Sequence, residues 1–269
     1  MFDHYLALWG LVPDGVPILT RAARLLPVRR NGEAAMLRIT VIEEARGGDV
    51  LMSWWEGRGA ARVIASDGDA VLLERALGDR SLVDYARNGR DDEATHIICD
   101  VVADLHAPRD KPPPDLISLD HWFEALWPAA ENHGGILARS ADAARALLAT
   151  PRDVGVLHGD LHHGNILDFG PRGWLAIDPN RIGGERGYDY ANVFCNPDMD
   201  FPDPPVAVLP ERFHRRLEIV VARSGMERAR LLEWILAYTG LSAAWIIGDG
   251  DHPAVDLAVA ELALAELER

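Results

Sequence analysis

One segment of this chain, residues 156–179 (VLHGDLHHGNILDFGPRGWLAIDP), places polar side chains among short apolar runs in a strand–loop–hairpin pattern. The two apolar runs on either side of the turn at 170–173 predict an antiparallel hairpin. Ahead of the hairpin, Asp160 and Asn165 are five positions apart, and His158 precedes the aspartate by two. A carboxylate and an amide at this fixed separation are suited to proton transfer and to binding a hard cation. The segment therefore predicts a catalytic site.

The spacing of these residues is that of the kinase catalytic loop. In that loop the aspartate receives the proton of the substrate hydroxyl and the asparagine holds Mg²⁺. Asp160 is therefore the candidate base, Asn165 a candidate metal ligand and His158 a further catalytic candidate. A zinc site built on His158, His162 and His163 is disfavoured, because no cysteine or further histidine supplies a fourth ligand at a suitable spacing.

A second metal carboxylate could come from either of two aspartates. Asp168 begins the string DFG, which holds Mg²⁺ in protein kinases. A four-residue hairpin turn, however, pairs Phe169 with Trp174 and so places Asn165 opposite Asp178. Directly paired residues lie about 4.5–5.5 Å apart, close enough to share one cation. The hairpin therefore assigns the metal to Asp178, and replacing Asp168 is expected to be nearly silent.

Composition limits the range of partners and compartments. The chain has 269 residues, enough for a large core or two lobes, and 48% of them are hydrophobic. A formal net charge of −15 argues against nucleic acid and weakly favours a cationic small-molecule substrate. Two cysteines, Cys99 and Cys195, are too few for a disulfide framework. With no signal peptide and no apolar run long enough to span a bilayer, we expect a cytoplasmic protein without membrane contact. The oligomeric state stays open.

Two strands in the first part of the chain carry the candidate phosphate-binding cation. Asn31-Gly32 predicts a two-residue turn between strands at 25–30 and 34–42. Arg38 lies in the second strand, where it either binds phosphate or is an ordinary surface arginine. Asp49 or Glu44, in a predicted helix at 43–55, is the candidate acid that would pair with it.

The remaining nucleotide contacts are expected near the ends of strands. Thr20, with backbone N–H groups and Arg21, is a candidate phosphate contact in a turn that contains no glycine. Glu74 and Ala76 end a strand that runs into the polar segment at 78–81, where backbone groups could hold adenine. The boundary between an N-terminal nucleotide-binding lobe (1–77) and a C-terminal catalytic and substrate-binding lobe (78–269) is expected here.

These motifs resemble those of the aminoglycoside/hydroxyurea antibiotic-resistance kinases, and within that family the streptomycin 6-phosphotransferases. The matching stretches extend over nearly the whole chain, at 46–49, 57–60, 72–74, 158–167, 173–175, 177–179 and 241–245. The resemblance implies an α+β, two-lobed protein-kinase-like fold with a small β-rich N-lobe and a larger, mainly helical C-lobe. It also implies transfer of the ATP γ-phosphate to a hydroxyl, with Mg²⁺ as cofactor.

Position by position, the resemblance implies that Asp160 is the base, that Asn165 and Asp178 are Mg²⁺ ligands, and that Asp189 is a helix-borne acid bracing the catalytic loop. Two departures stand out. Arg38 occupies the place of the family's lysine, and the run at 180–182 differs from the usual sequence.

The acceptor is expected to be a polycationic aminoglycoside held by carboxylates that follow the hairpin. Glu185, Asp198 and Asp200 are the candidates by position, although each could equally be a surface acid in a chain with 42 Asp and Glu residues. Two alternatives stay open. One is a kinase of another small molecule such as hydroxyurea or an amino alcohol. The other, motivated by Arg38 and the glycine-free turn, is a nucleotide-binding protein with little turnover.

Overall fold

The computed structural model describes residues 1–20, 22–41, 48–200 and 202–269. Arg21 and Glu44, two candidates from the sequence, lie outside the described residues. The helices are α1 (Asp3–Trp9), α2 (Gly48–Trp55), α3 (Leu82–Arg87), α4 (Asp91–His106), α5 (Leu119–Trp122), α6 (Leu126–His133), α7 (Gly135–Ala149), α8 (Gly187–Ala191), α9 (Pro210–Ser224), α10 (Arg228–Gly248) and α11 (Ala254–Leu267). The strands are β1 (Leu11–Pro13), β2 (Ile18–Leu19), β3 (Ala23–Arg30), β4 (Glu33–Thr40), β5 (Val63–Asp67), β6 (Ala70–Glu74), β7 (Ile117–Ser118), β8 (Val154–Leu157), β9 (Ile166–Asp168), β10 (Trp174–Ala176) and β11 (Ile182–Glu185).

An antiparallel sheet fills the first part of the chain. Its strand order is β1-β3-β4-β6-β5, with β2 paired to β3. The turn between β3 and β4 is the one that the sequence predicts, because Arg30 pairs with Glu33 around Asn31 and Gly32. Both turn residues have positive φ, 52° and 85°, which the Asn-Gly pair adopts readily.

The two faces of this sheet have different partners. Leu26, Val28 and Leu37 form an apolar cluster on one face, against which α1 packs. Val71 and Leu73 point to the other face and cluster with residues of α2 and of the β9–β10 hairpin. Because side chains alternate along a strand, this arrangement places the hairpin under the sheet and leaves a cleft between them.

The second part of the chain is built around α10. This helix is apolar on all sides and packs against α6, α7, α8 and α11. Among the described residues it alone is long and apolar enough to cross a membrane. However, 72% of its most apolar stretch is buried inside the protein. This helix is therefore a core helix of the protein, and the expected α+β fold class is confirmed.

Two short sheets carry the loops that form the site. Strands β9 and β10 make the antiparallel hairpin, and β11 pairs with both β7 and β8. The β8–β11 pairing aligns Leu157 with Ile182, so the loop after β8 begins beside the segment that leads into β11. Residues 158–165 are thereby held between the hairpin and α8. Cys99 and Cys195 are both free and buried.

A buried carboxyl in α11 is expected to make stability depend on pH. Asp256 is fully buried, and neither of its oxygens has a hydrogen bond of normal geometry, although the Ser242 hydroxyl and the Cys195 thiol lie beside it. Burial raises the pKa of Asp256 from 3.8 to about 6. The folded protein disfavours the charged form of Asp256. The stability that the protonated carboxyl contributes is therefore fully present below pH 3.8 and is lost as the pH rises through 6.

The size of this effect is about 3 kcal/mol, the free energy of a pKa shift of that size. Asp256→Asn is therefore expected to raise Tm relative to wild type at pH 7.5 and to change it little at pH 4. Thermal unfolding of both proteins across this range measures the difference. Glu261→Gln, an exposed change on the same helix, is the control. A wild-type-minus-variant difference that does not vary with pH would contradict the prediction.

Candidate active site

The loop that follows β8 is fixed by the carboxylate of Asp189 in α8. Its two oxygens accept the backbone N–H groups of His158 and Gly159, each at 2.8 Å. The ring of His106 lies 2.8 Å from the same carboxylate. Burial by itself would raise the pKa of Asp189, but the hydrogen bond from His106 and the neighbouring charges hold it below its usual value. Asp189 thus occupies the place of the bracing acid that the resemblance implies.

His158 is a structural residue of the loop rather than a group that can reach a substrate. Its side chain is completely buried and stacks on Trp55, with ring centroids 6.1 Å apart. Burial lowers the pKa of His158, which favours the neutral ring. The neutral ring fits its contacts, since Nε2 donates to the Ile177 carbonyl at 2.9 Å and Nδ1 accepts the Asp160 N–H at 3.3 Å. The prediction of a catalytic role for His158 is corrected accordingly.

Asp160 and Asn165 are in direct contact, as their spacing predicts. The Asn165 Nδ2 group donates to the Asp160 carbonyl at 2.8 Å and to its Oδ2 at 3.0 Å. These bonds turn the amide oxygen of Asn165 away from Asp160 and leave it available to a cation. The Asp160 side chain is 44% exposed, so its carboxylate can be reached by a substrate hydroxyl.

The register of the hairpin differs by one residue from the prediction. Asp168 pairs with Trp174, and Ile166 pairs with Ala176. The cause is the turn, in which three residues form a 3₁₀ turn (Gly170–Arg172), whereas the sequence analysis placed four there. Asn165 therefore lies opposite Ile177, whose N–H donates to the Asn165 carbonyl at 2.9 Å, and not opposite Asp178.

Asp178 remains next to Asn165 in spite of this shift. It follows Ile177 directly and has a positive φ of 58°, which turns the chain out of the strand. Its side chain is 48% exposed, and its Oδ1 lies 2.6 Å from the Arg38 guanidinium. The hairpin end thus presents one amide oxygen and one half-exposed carboxylate, from Asn165 and Asp178. Oxygen donors of this kind suit Mg²⁺, which usually takes one or two protein ligands besides phosphate and water.

Asp168 lies apart from this pair and holds the hairpin to the segment after β6. Its carboxylate accepts two hydrogen bonds from Arg80, at 2.6 and 2.8 Å, and one from the Gly170 N–H at 2.9 Å. The hydrogen bonds from Arg80 hold the pKa of Asp168 at about 2. The backbone of Gly78 approaches so closely that a Cβ there would collide with this carboxylate. Asp168 is therefore structural, and we expect its replacement to lower stability.

A cleft of about 190 Å³ lies between the sheet and the hairpin. Most of its walls are apolar. The charged residues of the lining are Arg38, Asp49, Glu74, Arg75 and Asp178, and the others include Leu25, Met36, Met52, Leu73, Ala76, Leu167, Phe169 and Ile177. The structure thus gathers most of the candidate nucleotide-binding residues around one space.

Arg38 faces this cleft and is not an arginine of the solvent face. Its side chain is 11% exposed, and besides the contact with Asp178 it donates to the Thr40 hydroxyl at 2.8 Å. Asp49 lines the same cleft, but the ion pair of Arg38 within the described part of the chain is with Asp178.

Two nucleotide candidates have other contacts. The Thr20 hydroxyl accepts the Ala23 N–H at 2.9 Å and so closes the turn before β3, outside the residues that line the cleft. The Glu74 carboxylate accepts the Arg62 N–H at 2.5 Å and also bonds to Arg172 of the hairpin. The prediction that Thr20 contacts phosphate is therefore corrected, because its hydroxyl closes a turn. Glu74 borders the cleft, but its carboxylate links the sheet to the hairpin.

Two of the three candidate substrate acids are buried, and the prediction that they contact the substrate is corrected. Glu185 is 3% exposed and accepts hydrogen bonds from Arg230, at 2.5 and 2.8 Å, and from Trp234 at 2.8 Å. Asp198 is 2% exposed and accepts backbone N–H groups of the segment at 206–208. Neither carboxylate can meet a polycation in solution. Asp200, in contrast, is exposed, and its Oδ2 lies close to Gly164 of the catalytic loop.

The structure adds a polar contact to Asp160 that the sequence analysis did not find. Asn192 Nδ2 donates to Asp160 Oδ1 at 3.0 Å. Its only signal in the sequence is its place three residues after Asp189, on the same face of a helical turn.

Among the described residues, no group of three or more His, Cys, Asp or Glu side chains is arranged to hold a metal ion.

The chain is similar to known proteins along most of its length. Residues 8–250 match the profile of the aminoglycoside/hydroxyurea antibiotic resistance kinases. A streptomycin 3''-kinase of Klebsiella pneumoniae is 53% identical over 259 residues, covering 95% of this chain and 97% of the relative. A streptomycin 6-kinase of Streptomyces glaucescens is 30% identical, covering 98% of this chain and 88% of the relative.

The fold is also that of a solved structure. An aminoglycoside phosphotransferase, APH(4)-Ia, crystallised with ADP and hygromycin B, superposes with a TM-score of 0.66 at 13% identity, covering 97% of each chain. The likeness confirms the expected protein-kinase-like fold.

Proposed function

The chain belongs to the aminoglycoside/hydroxyurea antibiotic resistance kinase family and is a phosphotransferase, and from this premise we propose that it transfers the γ-phosphate of ATP to a hydroxyl of streptomycin. The observation that carries the proposal is the convergence of Asp160, Asn165 and Asp178. Asn165 bonds to Asp160 through its side chain and to the residue before Asp178 through its backbone. A base and two oxygen ligands are thereby held together, and Asp178 among them lines the cleft between the sheet and the hairpin.

In this proposal the cleft between sheet and hairpin takes the nucleotide. The apolar side chains of Leu25, Met52 and Phe169 offer flat contacts to a purine, and the backbone near Ala76 offers hydrogen bonds. Arg38 then lies at the polar end of the cleft, where its guanidinium can bind phosphate oxygens bidentately. The N-terminal lobe of 1–77 and the C-terminal lobe of 78–269 would meet across this cleft.

Magnesium would be held by Asn165 and Asp178 together with phosphate oxygens. Their amide and carboxylate oxygens fit its preference for hard donors, and the remaining sites can be filled by water. When bound, the cation neutralises charge on the phosphate groups. The residues of the chain do the rest. Asp160 orients the acceptor hydroxyl and receives its proton, while Asp189 holds the loop so that this carboxylate faces the nucleotide.

The position phosphorylated is proposed to be the 3''-hydroxyl. The resemblance noted from the motifs pointed to 6-phosphotransferases, but the 3''-kinase is 53% identical to this chain and the 6-kinase of Streptomyces glaucescens is 30% identical. A formal net charge of −15 favours a cationic acceptor. Of the three candidate acids, Asp200 is the one whose exposure suits such a contact.

The test is a phosphotransfer assay with purified protein, Mg²⁺ and ATP across streptomycin, other aminoglycosides, hydroxyurea and amino alcohols. We expect streptomycin to be turned over with the highest kcat/KM, and the product to carry phosphate on the 3'' oxygen by NMR. Turnover of hydroxyurea or an amino alcohol alone would favour the second candidate function, a kinase of another small molecule. The family profile motivates this candidate, since it includes hydroxyurea kinases. Nucleotide binding without turnover of any acceptor would contradict both.

Arg38 offers a prediction for the nucleotide site. Arg38→Ala is expected to raise KM for ATP about tenfold, because it removes one charge-assisted contact to phosphate. Arg38→Lys keeps the charge and is expected to retain most of this affinity, and to raise kcat if the arginine fork misplaces the γ-phosphate. Steady-state kinetics at saturating streptomycin measure both effects, with Arg24→Ala on the same sheet as the control. An unchanged KM in Arg38→Ala would exclude a contact between Arg38 and the nucleotide.

A further inference from the structure

The carboxylate of Asp160 is held by two amides, one on each oxygen. Asn165 donates to Oδ2 and Asn192 donates to Oδ1, both at 3.0 Å. We propose that Asn192 is a positioning residue for phosphoryl transfer, which fixes the rotation of the Asp160 carboxylate toward the acceptor hydroxyl. The inference rests on the proposed function of Asp160 as the base. It assigns a role to a residue that lies outside the catalytic loop and the hairpin.

The helical segment after β11 explains why Asn192 can reach Asp160. Helix α8 continues into a 3₁₀ turn (Asn192–Cys195), so Asp189, Asn192 and Asn196 are three and four residues apart. Residues at these spacings lie on one face of a helix. That face is turned toward the catalytic loop. Asp189 bonds to the backbone of the loop at its start, and Asn192 bonds to the side chain of Asp160.

The orientation of the Asn192 amide is itself determined. Its Oδ1 accepts a hydrogen bond from Asn196 Nδ2 at 2.9 Å, so the opposite end, Nδ2, must face Asp160. The same Asn196 group also donates to the Asn192 carbonyl at 3.1 Å. Both asparagines are 3% exposed, so water does not compete for these groups. A buried amide with both ends bonded has one orientation available.

A buried arginine anchors this pair to the helical part of the protein. Arg216 in α9 donates to the Asn196 carbonyl at 2.5 Å, and its guanidinium makes an ion pair with Asp91 at the start of α4, at 2.6 Å. The exposure of the two charged side chains is 1% and 0%. A continuous chain of hydrogen bonds therefore runs from α4 and α9 through Asn196 and Asn192 to the Asp160 carboxylate.

This anchoring acts on the reaction step and not on nucleotide binding. Each oxygen of Asp160 accepts one amide hydrogen and keeps a further lone pair for the acceptor hydroxyl. Without Asn192 the carboxylate could rotate about its side-chain bonds, and the hydroxyl would less often be aligned with the phosphate. Misalignment of about 1 Å can cost about 10²-fold in rate. Neither Asn192 nor Asn196 lines the nucleotide cleft.

The test compares Asn192→Ala with Phe194→Leu. Phe194 belongs to the same 3₁₀ turn, is 1% exposed and packs on Phe213, so its replacement perturbs the segment without touching Asp160. For Asn192→Ala we expect kcat to fall about 10- to 100-fold, the value of a hydrogen bond to a charged group, with KM for ATP within about twofold of wild type. Phe194→Leu is expected to lower Tm but to keep kcat.

A second variant separates positioning from space filling. Asn192→Leu has nearly the same size and shape but offers no donor to Asp160. We expect a kcat at least as low as that of Asn192→Ala, whereas a space-filling role would leave Asn192→Leu active. Wild-type kcat in either variant, or a kcat loss in Phe194→Leu equal to that of Asn192→Ala, would overturn the inference. Absence of phosphotransfer by the wild-type protein would instead overturn the proposed function, so the two failures are distinguishable.

Discussion

Asp160→Asn is expected to lower kcat for phosphoryl transfer by about 10²- to 10⁴-fold, the usual contribution of general base catalysis. The substitution keeps the size of the side chain but removes the carboxylate proposed to receive the proton of the acceptor hydroxyl. The fold should survive, because the loop is held by backbone hydrogen bonds to Asp189 that do not involve the Asp160 side chain. Nucleotide binding should also survive, since Asp160 does not line the cleft.

The experiment measures three quantities on one preparation. These are kcat with streptomycin, Kd for the magnesium–nucleotide complex by calorimetry, and Tm. Asp153→Asn is the matched control and should behave as wild type. It changes an aspartate just before β8, the strand that leads into the catalytic loop. A kcat within tenfold of wild type for Asp160→Asn would show that another group, or the substrate itself, takes the proton.

Asp178→Ala is expected to abolish measurable transfer and to weaken binding of magnesium–nucleotide. It removes the half-exposed carboxylate beside Asn165, one of the two oxygen ligands proposed for the cation. It also frees Arg38 from its ion pair at 2.6 Å. Because the free guanidinium can still bind phosphate, binding of nucleotide without metal should change much less than binding of the magnesium–nucleotide complex. Calorimetric titration of ADP with and without Mg²⁺ separates these effects, and steady-state kinetics measure the loss of activity.

Asp168→Ala provides the comparison, because the two aspartates belong to the same hairpin. Asp168 is 4% exposed and bonded to Arg80, so its loss should cost about 1.5–3 kcal/mol of stability, the range for hydrogen bonds to charged groups. Asp178→Ala should lose activity, with a Tm loss limited to the strain of alanine at a φ of 58° and to the half-exposed ion pair with Arg38. Asp168→Ala should lose Tm and keep activity in the molecules that remain folded. If magnesium dependence is lost in Asp168→Ala and kept in Asp178→Ala, the two roles must be exchanged.

Local features of the site could be predicted from the sequence because they depend on neighbouring residues. The five-residue spacing of Asp160 and Asn165 determines that one short loop carries both, and Asn31-Gly32 determines its own turn. The register of the β9–β10 hairpin was wrong by one, because the length of the connection depends on a 3₁₀ turn that Pro and Gly permit but do not require.

Contacts between distant parts of the chain could not be predicted. Glu185 follows the hairpin at a suitable distance for a substrate acid, but Arg230 and Trp234 of α10 enclose it. Asn192 carries no motif of its own, and its bond to Asp160 depends on how α8 packs against the catalytic loop. Burial and partner choice of this kind arise from tertiary packing, which composition and spacing do not specify.

The backbone at Asp178 places activity and robustness in opposition. A non-glycine residue with φ of 58° carries conformational strain on the order of 1–3 kcal/mol, although aspartate and asparagine tolerate this region better than most residues. Glycine would relieve the strain, and a chain selected in the laboratory only for heat resistance would gain from that exchange. It would lose the carboxylate at the same time. Directed evolution of this scaffold would therefore have to hold residue 178 fixed, and improve stability at positions such as Asp256 instead.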